Sequence, residues 1–253
     1  MALLRIDHTP ETVKVNLPLN IILPDPGPMR KKPVAARKVL YLLHGLSDDG
    51  SAWQRYTTIE STANAYGLIV VMPSIGRSFY TDMPNGQAYF TYLVEELPHY
   101  LENIFGLKPS REDTFIAGNS MGGYGAFKAA FLHPEQYGAA ASFSGVLSLE
   151  FIQAYPDDPR FFEFRHIFGD LEHLAGTNHD PSTWFSRAAQ NPGSLPRLHM
   201  SCGLDDDLLP LNRMVKQALT ELNIPVEYSE EKAGHEWTFW DAQIKRFLAS
   251  ILG

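Results

Sequence analysis

Cysteine is nearly missing from this chain: Cys202 is the only one in 253 residues. That excludes an internal disulfide framework and fits a reducing, cytoplasmic setting. Cys202 lies in an apolar stretch, where a lone thiol reads as a small buried hydrophobe rather than a nucleophile. Long hydrophobic runs are missing too. Nothing approaches the ~18 consecutive apolar residues that cross a bilayer, so no membrane partner is expected. The first eight residues lack a basic segment leading into an apolar one, and none of them predicts a signal peptide. Positive charge is scarce. The formal net charge is −8 and no basic run exceeds Arg30-Lys31-Lys32, which argues against nucleic acid as a partner. The chain also lacks G-x-x-x-x-G-K-[ST], and it has no G-x-G-x-x-G with an acidic residue at the required distance. His166, His173 and His179 match no common zinc spacing. No metal and no nucleotide cofactor are therefore expected.

What is present is an ordinary globular composition, 44% hydrophobic and 20% charged. Continuous apolar runs at 38–43, 67–72, 114–117, 139–143 and 198–202 read as strands buried on both faces, with a further strand at 226–231. Residues 91–105, 124–132, 211–222 and 237–252 carry helical periodicity. Strands alternating with helices predict one α/β domain over 1–253, a mostly parallel central sheet with helices on both faces. An apolar–polar alternation over 11–23, broken by Pro18, predicts an opening strand or hairpin at a sheet edge. The proline-rich stretch 24–33 reads as a loop. Residues 147–190 show no clean period, and such an insertion is expected to cap the site.

The chemistry concentrates in Gly118-Asn119-Ser120-Met121-Gly122. This G-x-S-x-G pentapeptide stands between a predicted strand and a predicted helix. In that context the serine sits on a strained turn with its hydroxyl projected, and the flanking positions must be small. Ser120 is the candidate nucleophile. The other members of a hydrolytic triad then follow in the order acid, histidine. Asp205, Asp206 and Asp207 come just after the strand ending at Gly203, and His235 comes just after the next strand. Ligands of open α/β sheets bind at those strand ends. Two backbone donors complete the set. One is the N–H of Met121, directly after the nucleophile. The other is the N–H of Leu46, which Gly45 allows to turn inward after the first buried strand. His44, beside that glycine, is expected to have a structural hydrogen-bonding role. Bulky residues near these loops, Trp53, Phe79, Tyr80 and Trp237, are expected to crowd the substrate pocket.

Leu-Leu-His-Gly-Leu, Gly-Asn-Ser-Met-Gly-Gly-Tyr-Gly-Ala, Cys-Gly-Leu-Asp-Asp-Asp-Leu-Leu and Ala-Gly-His-Glu-Trp together resemble the esterase D-like group of α/β-hydrolases, and the tributyrin-esterase branch above all. The resemblance runs from the first buried strand to the C-terminal helix. It implies the α/β-hydrolase fold, and serine carboxylesterase activity on short acyl esters through an acyl-enzyme, without a cofactor. It also carries the acid over to Asp206, three residues after Gly203. Sister S-formylglutathione hydrolases usually have histidines where this chain has Asn119 and Tyr124. That counts against a thioester substrate but leaves it as the alternative, beside feruloyl or acetyl-xylan esters. A non-catalytic scaffold of the same fold would show a degenerate triad, and this one is complete. The expected partner is a small-molecule ester. A homo-oligomer is compatible with the sequence.

Overall fold

The computed structural model describes residues 1–24, 37–150, 152 and 157–253. Most of the proline-rich loop expected at 24–33 lies outside the described residues, as do five positions of the insertion. Eight strands form one sheet: β1 Ala2–His8, β2 Leu17–Leu23, β3 Val39–Leu43, β4 Ile69–Pro73, β5 Thr114–Asn119, β6 Ala139–Phe143, β7 Arg197–Gly203 and β8 Glu227–Glu231. Their order across the sheet is β1-β2-β4-β3-β5-β6-β7-β8. β1 pairs antiparallel with β2, and β2 antiparallel with β4. Every other pairing is parallel. This is the architecture expected of an α/β-hydrolase.

Among the described residues the α-helices of five residues or more are α1 Ala52–Tyr56, α2 Ile59–Tyr66, α3 Leu97–Phe105, α4 Met121–Leu132, α5 Phe161–Phe168, α6 Pro181–Ala188, α7 Leu209–Glu221 and α8 Trp237–Leu252. Strand residues alternate between two apolar layers. Tyr41, Leu43, Val71, Ile116 and Met200 face one layer with α3, α4 and α7. Leu40, Leu42, Val70, Phe115, Ala141 and Phe143 face the other, with Trp53, Ile59, Phe239, Trp240 and Phe247 from α1, α2 and α8. Strands so covered on both faces have no polar side to show, which is why they read as unbroken apolar runs.

The edge hairpin differs from its expected position. It joins β1 to β2, while residues 11–13 turn between them, so His8 belongs to a strand. β1 is exposed along most of its length and carries no strong apolar signal. The helix expected over 91–105 also has a fault in it. Tyr92–Glu96 winds as a π-helix before α3 begins. Pro98 lacks the N–H that would bond Val94, and the Gln136 amide donates to that carbonyl instead, at 3.1 Å.

A close backbone contact joins β3, β5 and α4. A Cβ on Gly118 would lie 2.4 Å from the Gly122 carbonyl, and one on Gly122 would lie 2.4 Å from the Leu43 carbonyl oxygen. Both obstacles are backbone and cannot rotate away. Gly122→Ala should therefore lower the denaturant midpoint by an amount corresponding to a loss of about 3 kcal/mol or more. A midpoint unchanged from wild type would show that helix and strand can separate at little cost.

Candidate active site

Four neighbouring strands end in one row. Asn119 pairs with Phe143, Phe143 with Ser201, and Gly203 with Glu231. The loops beyond are tied together as well. The Ser120 N–H donates to Phe143 O at 2.9 Å, the Ser144 N–H to Ser201 O at 2.7 Å, and the Asp205 N–H to Ala233 O at 2.9 Å. Ser120, Asp206 and His235 thus leave the carboxyl ends of β5, β7 and β8, where open α/β sheets hold their ligands.

Ser120 has φ 53° and ψ −118°, a left-handed conformation that a residue with a Cβ avoids. Such a conformation costs on the order of 1–3 kcal/mol and persists only where its surroundings enforce it. The glycine contacts above do so by holding α4 hard against β3 and β5. Ser120 is partly exposed, while its neighbours Asn119 and Met121 are buried.

Of the three candidate aspartates, Asp206 meets the histidine. Its Oδ2 lies 2.9 Å from His235 Nδ1, and its Oδ1 accepts the Leu208 N–H at 2.9 Å. The carboxylate can only accept, so Nδ1 carries the proton in this hydrogen bond. Burial pushes the Asp206 carboxyl up, but hydrogen bonds from His235, the Leu208 N–H and Ser144 outweigh it and hold the group below the usual carboxylate range. Asp205 instead takes Lys232 Nζ at 2.6 Å at the surface, and Asp207 is exposed. Two supports went unnoticed in the sequence. Trp240 stacks edge-on against the His235 ring with centroids 4.9 Å apart. Its indole N–H donates to Ser144 Oγ at 3.1 Å. The only advance signal was its place one turn after Trp237 on the apolar stripe of α8.

The loop after β3 brings Leu46 to the same place. A Cβ on Gly45 would lie 3.7 Å from Ser120 Cβ, so this loop packs directly beside the serine. Among the described residues neither the Leu46 N–H nor the Met121 N–H meets an acceptor. Both stay available to an incoming oxygen. His44 has the structural role expected of it. Fully buried, it lies 2.8 Å from Gly45 O through Nδ1 and accepts the Ile75 N–H at Nε2 over 3.2 Å. Burial pulls its pKa down to about 4, against the opposing pull of the Gly45 carbonyl and Asp49.

Two expected pocket residues do not line a pocket. Trp53 and Tyr80 are both 0% exposed. The Trp53 indole N–H donates to Leu43 O at 2.9 Å, and the Tyr80 hydroxyl donates to His44 O at 3.1 Å. Each ring is large enough to be held beneath the loop by the core, with its one polar group spent on that loop's backbone. They are struts below the site, not walls of it. Phe79 is buried too, against Tyr124, Phe164 and Phe168. Trp237 is half-buried and stacks on Trp53 at 5.1 Å, which leaves it the one candidate of the four at the surface.

Comparison with known proteins shows the family. The sequence model of the esterase family matches residues 11–251. The chain belongs to the esterase family. An acetyl esterase of Caldicellulosiruptor saccharolyticus is 33% identical over 96% of this chain and 96% of its own. The structure of the fluorophosphonate-binding serine hydrolase F of Staphylococcus aureus superposes with a TM-score of 0.90 at 32% identity, covering 100% of this chain and 98% of that one. The S-formylglutathione hydrolase FrmB of the same organism superposes at 0.88 with 32% identity, covering 100% and 99%. This esterase is thus a carboxylic ester hydrolase of the serine hydrolase type, and none of its described helices is long and apolar enough to cross a membrane.

Buried neutral His44 gives the esterase an acid-sensitive fold. An unfolded imidazole titrates near 6.5 and this one near 4. Its contribution is therefore complete above about pH 6.5 and lost as pH falls towards 4, at up to about 1.4 kcal/mol per pH unit. His179, also lowered to about 4 by burial, adds a second such group. In His44→Gln, unfolding free energy measured against pH should lose about one proton's worth of slope between pH 6.5 and 4. An unaltered slope would assign that acid sensitivity elsewhere.

Proposed function

We propose that this esterase hydrolyses short-chain acyl esters through a Ser120–His235–Asp206 triad. The observation that carries the proposal is the Asp206–His235 hydrogen bond of 2.9 Å, formed on the same row of strand ends as the strained Ser120 turn. Ser120 Oγ attacks the ester carbonyl while His235 Nε2 takes its proton. Asp206 holds the ring with Nδ1 protonated and stabilises the imidazolium. The carbonyl oxygen becomes an anion and accepts from the Leu46 and Met121 N–H groups, each such donor contributing on the order of 3 kcal/mol. His235 returns its proton to the leaving alcohol, and water then hydrolyses the acyl-enzyme.

The preference for short acyl groups is supported by the acetyl esterase relative. Residues 147–190 serve in this reading as a cap. Their contacts support it: Glu163 on α5 pairs with Arg77 in the loop after β4, and the Tyr124 hydroxyl on α4 donates to His179 O at 2.7 Å. A thioester substrate is the second reading, favoured by the likeness to FrmB. Asn119 and Tyr124 at the elbow favour the ester.

Ser120→Ala should lower turnover of p-nitrophenyl acetate by about 10⁶-fold, and Asp206→Asn by about 10⁴-fold, with the fold retained. Asp205→Asn and Asp207→Asn should stay within a few-fold of wild type. Residual turnover above a thousandth in Ser120→Ala would remove that residue as nucleophile.

Across a series of p-nitrophenyl esters, kcat/KM should be highest from acetyl to butyryl and fall beyond about six acyl carbons, although apolar area alone would favour longer chains. The same assay with S-formylglutathione decides between the two readings. A thioester kcat/KM exceeding that for every ester would favour the second.

A further inference from the structure

The oxyanion loop carries a carboxylate that the mechanism above does not use. Asp48 is half-buried, and its backbone N–H closes the turn onto Gly45 O at 3.2 Å. The open face of Gly45 locates its side chain. At the point where a Gly45 Cβ would stand, Asp48 Oδ2 is 3.2 Å away, the buried Asn119 amide nitrogen 3.2 Å and Ser120 Cβ 3.7 Å. One carboxylate oxygen and the reactive serine therefore border the same small space, beside the peptide that would receive the oxyanion.

The surrounding charges do not cancel it. The Arg77 guanidinium, which donates to Leu46 O at 3.5 Å, is held on its other edge by Glu163, with Arg77 Nη2 2.7 Å from Glu163 Oε2. Asp49 accepts from Ser51 Oγ at 2.6 Å and lies in the field of Arg55. Asp206 is committed to His235. Among the described residues no cation pairs with Asp48. Burial and the neighbouring Asp49 both disfavour its charged form. No such cost is recovered by a partner, so the group is not there as part of an ion pair.

We propose that Asp48 sets the charge preference of this esterase, favouring neutral and cationic esters and disfavouring anionic ones. The proposal rests on the Ser120 reading above, since it is proximity to that serine that gives Asp48 its effect. A unit charge several ångströms from a carboxylate, at a protein-surface effective dielectric, changes its binding by about tenfold. Within the proposed reaction the effect falls on ester substituents and leaves the acetyl group alone. Glutathione thioesters carry net negative charge, so the same residue would weigh against them.

The test uses three acetates that differ in charge at one remote position: 4-acetoxybenzoate, 4-acetoxybenzamide and 4-acetoxyphenyltrimethylammonium, followed by acid release at low ionic strength. Each ester is compared between variant and wild type, so its intrinsic reactivity cancels. In Asp48→Asn the anionic-to-neutral ratio of kcat/KM should rise about tenfold and the cationic-to-neutral ratio should fall. Asp48→Glu should return both towards wild type. In the wild-type enzyme alone, raising the salt should lift the anionic-to-neutral ratio by screening the partly exposed carboxylate. This second measurement stands even if Asp48→Asn folds poorly. Ratios unchanged in the variant, or a wild-type ratio indifferent to salt, would overturn the proposal. A wild-type enzyme that turned over none of the three acetates would overturn the ester reading instead.

Discussion

The β3–β5–α4 contact governs the half of this molecule that holds the proposed site. Because Gly118 and Gly122 present no side chains, helix α4 closes onto the Leu43 and His44 carbonyls at backbone distance. A helix that close cannot be reached from β5 by an ordinary turn. The chain reverses within one residue, and Ser120 takes up the positive φ. The same closure brings the start of α4 against the loop after β3. The proposed nucleophile and the two proposed oxyanion donors therefore form one rigid unit rather than three separately placed groups, as electrostatic preorganisation requires.

Hydrogen bonds below the loop complete that unit. Tyr80 and Trp53 approach from opposite faces of the sheet, one donating to His44 O and the other to Leu43 O. His44 joins Gly45 to Ile75 and stays neutral because it is buried. Such full satisfaction is what makes buried polar groups specify one arrangement, since any shift of the loop would leave several of them unpaired at once. At the far side of the site, Asp206 keeps its charge although buried, because three hydrogen bonds outweigh desolvation.

The insertion is joined to this assembly through the loop after β4. Thr81 Oγ1 meets the His179 ring at 2.8 Å and also accepts from Lys128 on α4. Lys128 lies 4.4 Å over the Phe90 ring, and burial brings its pKa down to about 7. The loop that carries the Tyr80 strut is thus bonded on one side to the insertion and on the other to α4.

Much of this was legible from residue order, and the boundary has a physical cause. β6 and α8 occur at the expected limits, Ala139–Phe143 and Trp237–Leu252, because burial on both faces or on one stripe stamps a local period on the sequence. The elbow pentapeptide and the Asp–His order were legible for the same reason: each is a short-range pattern. β1 was missed because an exposed edge strand needs no apolar pattern. α1 and α2 were missed because five and eight residues carry too little periodicity. The choice among three adjacent aspartates could not be made from spacing alone without the family resemblance. It depends on which carboxylate faces a histidine 29 residues away. Likewise, Trp53 and Tyr80 near the site could have been wall or strut. Only the packing of both sheet faces turned their rings inward, because burial is a property of contacts distant in sequence and not of the residues that make them.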